Sequence, residues 1–232
     1  MIMKKYFVGE NYQSIKQAAK PQLNEGERLF GHWKITTATN DKLSENEALV
    51  AKQIHSGNIV KSNHLDLSKV EADGIILKSD STDKIGIYTA DCVPVVIMTD
   101  DAAIALHVSR KSIVSGLMDN VMSFIAPTDV NQVYIGPHIC EYHFSFDEED
   151  FMIRKFRHRF PAAIHFHKGL LYLSLKKALL HFFDEWKINK EKITFDGRCN
   201  YEMLDLPSYR QWKQSGEEGE LGRILTIVER QT

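Results

Sequence analysis

The sequence predicts an α/β (α+β-like) protein with a mixed central β-sheet and helices outside it. Three observations predict this. Apolar runs of strand length recur between polar turn signals. Amphipathic segments of helix length stand among them, without the strict βαβ alternation of an all-parallel sheet. The chain has 232 residues, 43% hydrophobic and 26% charged, the range of an ordinary soluble globular protein with one large domain or two small ones. Repeats, low-complexity tracts and linkers are not evident.

In order, Lys4–Val8 reads as a short strand, and the residues from there to about Glu27 are polar and poorly periodic. Leu29–Ala38 alternates like a strand. Ser44-Glu45-Asn46-Glu47 matches a capping box with Ser44 as N-cap, which predicts a helix running toward Gln53. Gly57 breaks that helix and Asn58–Lys61 begins an extended piece, leaving His55 at an element boundary; His64 follows in a polar loop. Asp73–Leu77 and Ile85–Thr89 are strands joined by the polar turn Lys78–Lys84. Val93–Met98 and Ala103–Leu106 flank Thr99-Asp100-Asp101-Ala102 and read as a tight hairpin. Ser112 opens an amphipathic helix to about Phe124, and Gln132–Ile135 is a strand leading into the Gly136-Pro137 turn. Asp147–Arg159 reads as a helix, acidic first and basic last as the helix dipole favours. Leu173–Trp186 is an amphipathic helix with Leu175, Leu179, Phe182, Phe183 and Trp186 near one face. Lys192–Phe195 is a strand, a short helix follows Pro207, and Leu225–Val228 is the final strand.

The stretch Ile85–Met122 carries the chemistry. A turn centred between Asp100 and Asp101 pairs Thr99 with Ala102 and Pro94 with His107. Cys92 lies two residues beyond Pro94, so Cys92 and His107 emerge as diagonal neighbours on one face at one open end. A slip of one residue would send them to opposite faces. On the residues alone, this pair is a metal site, a catalytic pair, or a buried thiol beside a satisfied histidine.

Composition narrows the classes. Net charge is −2, from 29 basic and 31 acidic residues, which argues against nucleic acid as a partner. MIMKKYFVGENYQ has no apolar core of a secretory signal, and no apolar run approaches the ~18 residues of a membrane span. The expectation is a cytoplasmic protein, with no membrane partner, as a monomer or weak homodimer. Its three cysteines, Cys92, Cys140 and Cys199, are an odd, sparse set expected to remain free thiols available for metal or catalysis.

TADCVPV, followed by ALHVS, resembles the TADCxPV…HAGWRG signature of the YfiH-like family, long labelled laccase-domain or polyphenol oxidoreductase proteins. QIHSGNIV, EADGII, YIGPHIC, CNYEMLDLPSYR and LGRILTIV resemble further segments of that family in the same order, over roughly Phe30 to Val228. The resemblance implies a single YfiH-like domain across 1–232, with 1–28 a divergent N-terminal segment. It implies a fold similar to the catalytic domain of the cytotoxic necrotizing factors. It also implies one zinc ion, with copper as the alternative, held by His55, Cys92 and His107, a donor set zinc accepts. The implied chemistry is phosphorolysis of purine nucleosides such as adenosine or inosine, and deamination of adenosine, so the partners are a nucleoside and phosphate. By the same resemblance Asp91 is the motif's acid, either a proton shuttle or an acceptor that orients a histidine. Gln53, Arg210 and Arg223 are expected at the substrate. Multi-copper laccase chemistry needs several copper ions and more histidines than this trio.

Departures from the pattern cluster on the expected anion contacts. In place of HAGWRG stands His107-Val108-Ser109-Arg110-Lys111-Ser112, so Lys111 occupies the family arginine's position, keeping charge but losing the bidentate fork. Thr36-Thr37-Ala38 stands for the family's STR, the following segment is short, and IGPHICEYHFSF lacks the usual CCYEV. Lys111, beside the start of the helix after His107, is expected to help bind phosphate. Two other functions stay open: a Cys/His hydrolase or deamidase with Cys92 as nucleophile and His107 as base, and a diverged metal- or nucleoside-binding protein without turnover.

Overall fold

The computed structural model describes residues 26–39, 42, 47–64, 66–146 and 151–231. The expected strand at Lys4–Val8, most of the 1–28 segment and the Ser44 cap lie outside them.

The central layer is a six-stranded sheet in the order β12-β8-β6-β7-β4-β3. Its strands are β3 (Ile59–Lys61), β4 (Gly74–Lys78), β6 (Val93–Met98), β7 (Ala102–Val108), β8 (Gln132–Ile135) and β12 (Ile193–Phe195). The four inner strands are antiparallel and the two edge strands join in parallel, so the sheet is mixed as expected. Every residue of β6 is buried, the burial pattern of a strand covered on both faces.

Alternation along β6 and β7 sorts the two covers. Val93, Val95, Ile97, Ile104 and Leu106 pack toward helices, in one cluster with Ile113, Leu117, Phe156, Phe182 and Phe183. The helices are α1 (Arg110–Val114), α2 (Leu117–Val121), α3 (Phe151–Arg159) and α4 (Leu175–Glu185). Val96, Met98, Ala103 and Ala105 point the other way, to Trp33, Ile35, Ile85, Ile87 and Val228. Those residues belong to a second, wholly antiparallel sheet in the order β1-β2-β13-β5. Its strands are β1 (Glu27–Phe30), β2 (Trp33–Thr39), β5 (Lys84–Thr89) and β13 (Ile224–Arg230). Among the described residues, the α-helices therefore flank one face, and a sheet covers the other. The small Ala103 and Ala105 leave room for the bulky Trp33 and isoleucines of the second sheet.

Other expectations change. Leu29–Ala38 is a hairpin rather than one strand, because Gly31 turns with φ 59°. Residues 47–53 are not helical: Leu49 bridges Ile85 and Lys52 bridges Glu71. The expected helix from Ser112 to Phe124 is two short helices separated at Gly116, whose φ of 84° no helix interior accepts. A small antiparallel sheet was missed: β9 (Ser145–Phe146), β10 (Ile164–His167) and β11 (Leu170–Leu173). β11 takes Leu173, so α4 starts at Leu175 behind its Ser174 cap. The short helix after Pro207 is α5 (Tyr209–Gln214).

Candidate metal centre

The hairpin register is the expected one: Pro94 faces His107, and the Thr99 amide donates to the Ala102 carbonyl. Cys92 precedes β6 and is half-buried, while His107, on β7, is 5% exposed. His55 is brought to them by the loop before β3. One donor atom each from His55, Cys92 and His107 lie within 4.8 Å of one another. The Cys92 Sγ to His55 Nε2 distance is 3.9 Å, and the two imidazole centroids are 4.8 Å apart. His64, in the polar loop that follows, is exposed and stands outside this group.

Asp73 builds the site, and no reading of the sequence singled it out. It is fully buried at the start of β4. Its carboxylate accepts from the Ile54, His55 and Ser56 amides at 3.3, 2.9 and 2.6 Å, and from the Ser56 hydroxyl at 2.8 Å. Consecutive amides converging on one anion form a nest, and the left-handed φ of 62° at His55 lets them do so. The same carboxylate is 2.8 Å from His107 Nδ1, which assigns that nitrogen the proton and leaves Nε2 as the free donor. One buried acid thus positions both histidines. Burial pushes its carboxyl up, but His107 and Ser56 outweigh this and hold it at about 2. Gly57 closes the loop: a Cβ there would collide with the Ser115 carbonyl after α1, and Asn120 of α2 donates to the Gly57 carbonyl.

The electrostatics suit a metal. Burial raises the Cys92 thiol, yet His107 and His55 more than offset it and bring it to about 7. Burial lowers His107, yet the Cys92 sulfur and the Asp73 carboxylate raise it to about 9. Two imidazoles and a readily formed thiolate, one imidazole oriented from behind, fit a borderline-soft divalent ion with an open position. The same pair without a metal is a thiolate beside an imidazolium.

Of the remaining candidates, Asp91 and Gln53 neighbour two of the donors in sequence, and Arg210 is tied to Asp91. Asp91 is 5% exposed, with φ 83°. Its carboxylate accepts from Ser208 Oγ, Asn200 Nδ2 and the Arg210 amide at 2.7, 3.0 and 2.7 Å, so it anchors the segment leading into α5. Burial lifts its carboxyl above the ordinary range despite these donors. Gln53 pairs both ends of its amide with the Tyr88 backbone, at 2.7 and 2.8 Å, and so lashes its loop to β5. Lys111 is exposed on α1, whose first turn is closed by a Ser109–Ser112 capping box. The helix end expected to receive phosphate is therefore satisfied from within. The sequence reading passed over Arg110: its guanidinium lies 4.6 Å from the Phe146 ring centre. Arg210 lies over the same ring at 5.3 Å and donates to the Ser145 carbonyl at 2.8 Å. Arg223 is exposed just before β13.

Comparison with known proteins agrees with this architecture. Residues 34–231 match the model of the family described as multi-copper polyphenol oxidoreductase laccase. A purine nucleoside phosphorylase of Rickettsia conorii is 26% identical over 152 residues, 64% of this chain and 60% of that protein, so the chain spans under two thirds of its length. A purine nucleoside phosphorylase of Aquifex aeolicus is 21% identical over 94% of this chain and 97% of its own. The crystal structure of YlmD from Geobacillus stearothermophilus superposes with a TM-score of 0.73 at 18% identity, over 91% of this chain and 98% of that one.

Proposed function

The chain belongs to the laccase-domain, YfiH-like family, and from that premise we propose that it is a zinc-dependent purine nucleoside phosphorylase. The observation that carries this reading is the convergence of His55, Cys92 and His107 with Asp73 behind them. The relatives' names support the reaction class. His55, Cys92 and His107 would hold the zinc, which would supply Lewis-acid chemistry.

In phosphorolysis a phosphate oxygen bonds to the ribose anomeric carbon while the bond from that carbon to the purine nitrogen breaks. The electron pair leaves with the base, which takes up a proton. Adenosine and phosphate then give adenine and ribose 1-phosphate. Arg110 and Arg210, sharing the Phe146 ring, are the cations suited to hold the anion, and the aromatic surface between them suits a purine or ribose face. Asp91, by fixing the backbone amide of Arg210, sets where that guanidinium starts. Adenosine deamination at the same centre would be a different substitution: water would add at purine C6 and the exocyclic nitrogen would leave as ammonia, giving inosine, so the base rather than the ribose would have to face the centre. The deciding experiment is elemental analysis of the purified protein alongside an adenosine-plus-phosphate assay. At least one zinc per chain with phosphate-dependent release of adenine is expected; an active protein free of metal would overturn the reading.

One observation favours a second reading: Cys92, His107 and Asp73 are also ordered as nucleophile, base and orienting acid. A hydrolase or deamidase of this kind would be inactivated by alkylation of Cys92 and indifferent to chelators.

A further inference from the structure

Outside the trio, the described residues hold a second set of metal-type donors. Cys140, His143, Cys199 and Glu202 each bring one ligand atom within 4.8 Å of the others. They come as two pairs with the same spacing, Cys-x-x-His and Cys-x-x-Glu. Each pair sits on a turn closed by its own backbone: the His143 amide donates to the Cys140 carbonyl, and the Glu202 amide to the Cys199 carbonyl, at 3.1 and 3.0 Å. A parallel bridge between His138 and Cys199 sets the turns side by side.

We propose that these four side chains hold a second metal ion, a closed structural zinc site. Four bonds of ~2.0–2.3 Å at tetrahedral angles put neighbouring donors roughly 3.3–3.8 Å apart. Glu202 Oε1 lies 3.1 Å from His143 Nε2 and 3.7 Å from Cys140 Sγ, near that spacing. A simple ion pair would account for His143 and Glu202 but not for both sulfurs turned to the same point. The Cys140 amide donates to Cys199 Sγ at 3.2 Å, an outer partner of the kind that steadies a metal-bound thiolate. Cys199 is 8% exposed and the His143 ring stacks on Tyr201 at 4.3 Å, so two donors are held before any ion arrives. Four protein ligands leave no open position, so this ion is structural. It fastens the turn after β8 to the segment that supplies Asn200, Ser208 and Arg210. The Ile139 amide donates to the Asp91 carbonyl, and Asn200 donates to the Asp91 carboxylate, so the clamp closes around the residue next to Cys92.

The test is metal content of the full chain and of Cys92→Ala, purified under reducing conditions and saturated with zinc, with circular dichroism to check folding. One zinc per folded Cys92→Ala chain is expected, whatever the trio binds. After exchange with cobalt, that variant should retain thiolate-to-cobalt charge-transfer absorption, which only Cys140 and Cys199 can then supply. Glu202→Gln, an exposed and mild change, should hold this zinc at least about tenfold more weakly in chelator competition, since losing even an outer partner costs that much. A folded Cys92→Ala chain without metal would overturn the proposal, as would a non-reduced mass that reveals a Cys140–Cys199 disulfide. Loss of zinc from the trio alone would count against the proposed activity and leave this site standing.

Discussion

Asp73 carries more of the candidate site than either histidine it serves. Asp73→Asn keeps the shape and removes the charge, so the nest loses its anion and His107 its orienting acceptor. We expect zinc held by the trio to weaken about 10- to 100-fold in chelator competition, with the fold retained. The same group sets an acid limit. Its folded value of about 2 lies below the ordinary 3.8, so its stabilisation is fully present above about pH 4 and is lost as pH falls through 2. Between those limits about 2 kcal/mol should disappear from urea-unfolding stability, and Asp73→Asn should flatten that window. The anion contacts separate just as sharply. Arg110→Ala should raise the KM for phosphate about tenfold, as losing one partly solvated charge contact of ~1.4 kcal/mol would, with kcat little changed. Lys111→Ala should do less, because Lys111 is exposed while Arg110 shares the Phe146 ring with Arg210. Equal effects would return the anion site to Lys111. The sequence marked the three donors through their motifs, but nothing in one sequence distinguishes the buried carboxylate of EADGII from any surface aspartate.

Elements decide how well those residues meet. The loop carrying His55 is locked by contact of Gly57 with the end of α1, so Gly57→Ala must move one or the other. We expect a lower melting temperature together with weaker metal retention, whereas Gly31→Ala, in the β1–β2 turn, should lower stability by about 1–2 kcal/mol through its positive φ and leave metal retention alone. The β6–β7 register was legible because a tight turn and strand alternation are local facts. The helix toward Gln53 was misread because a four-residue capping pattern says nothing about distant partners, and Leu49 and Lys52 instead bridge to Ile85 and Glu71. The β10–β11 hairpin did leave a signal. Lys168-Gly169 is a two-residue turn with φ of 49° and 78° at its centre, between runs that alternate weakly.

For the molecule as a whole, the sequence pointed to a mixed sheet but not to a second sheet across its other face. Small residues at Ala103 and Ala105 carry that information, yet they read as filler until Trp33 and Ile85 are seen opposite them. The second sheet is held together by β13, which lies between β2 and β5 and pairs with both. Those partners come from Trp33–Thr39 and Lys84–Thr89, far back along the chain from Ile224. Large loops must close before any of that pairing is rewarded, so the slow step of refolding belongs here rather than to the central hairpin. In a stopped-flow refolding experiment, Val228→Ala should slow the folding arm, and Phe182→Ala, in the helical layer, should mainly speed unfolding. Until β13 arrives, β2 and β5 each present an unpaired edge. During that interval, crowding by other copies of the chain competes directly with completion of the sheet, and yield after dilution from denaturant should fall as protein concentration rises.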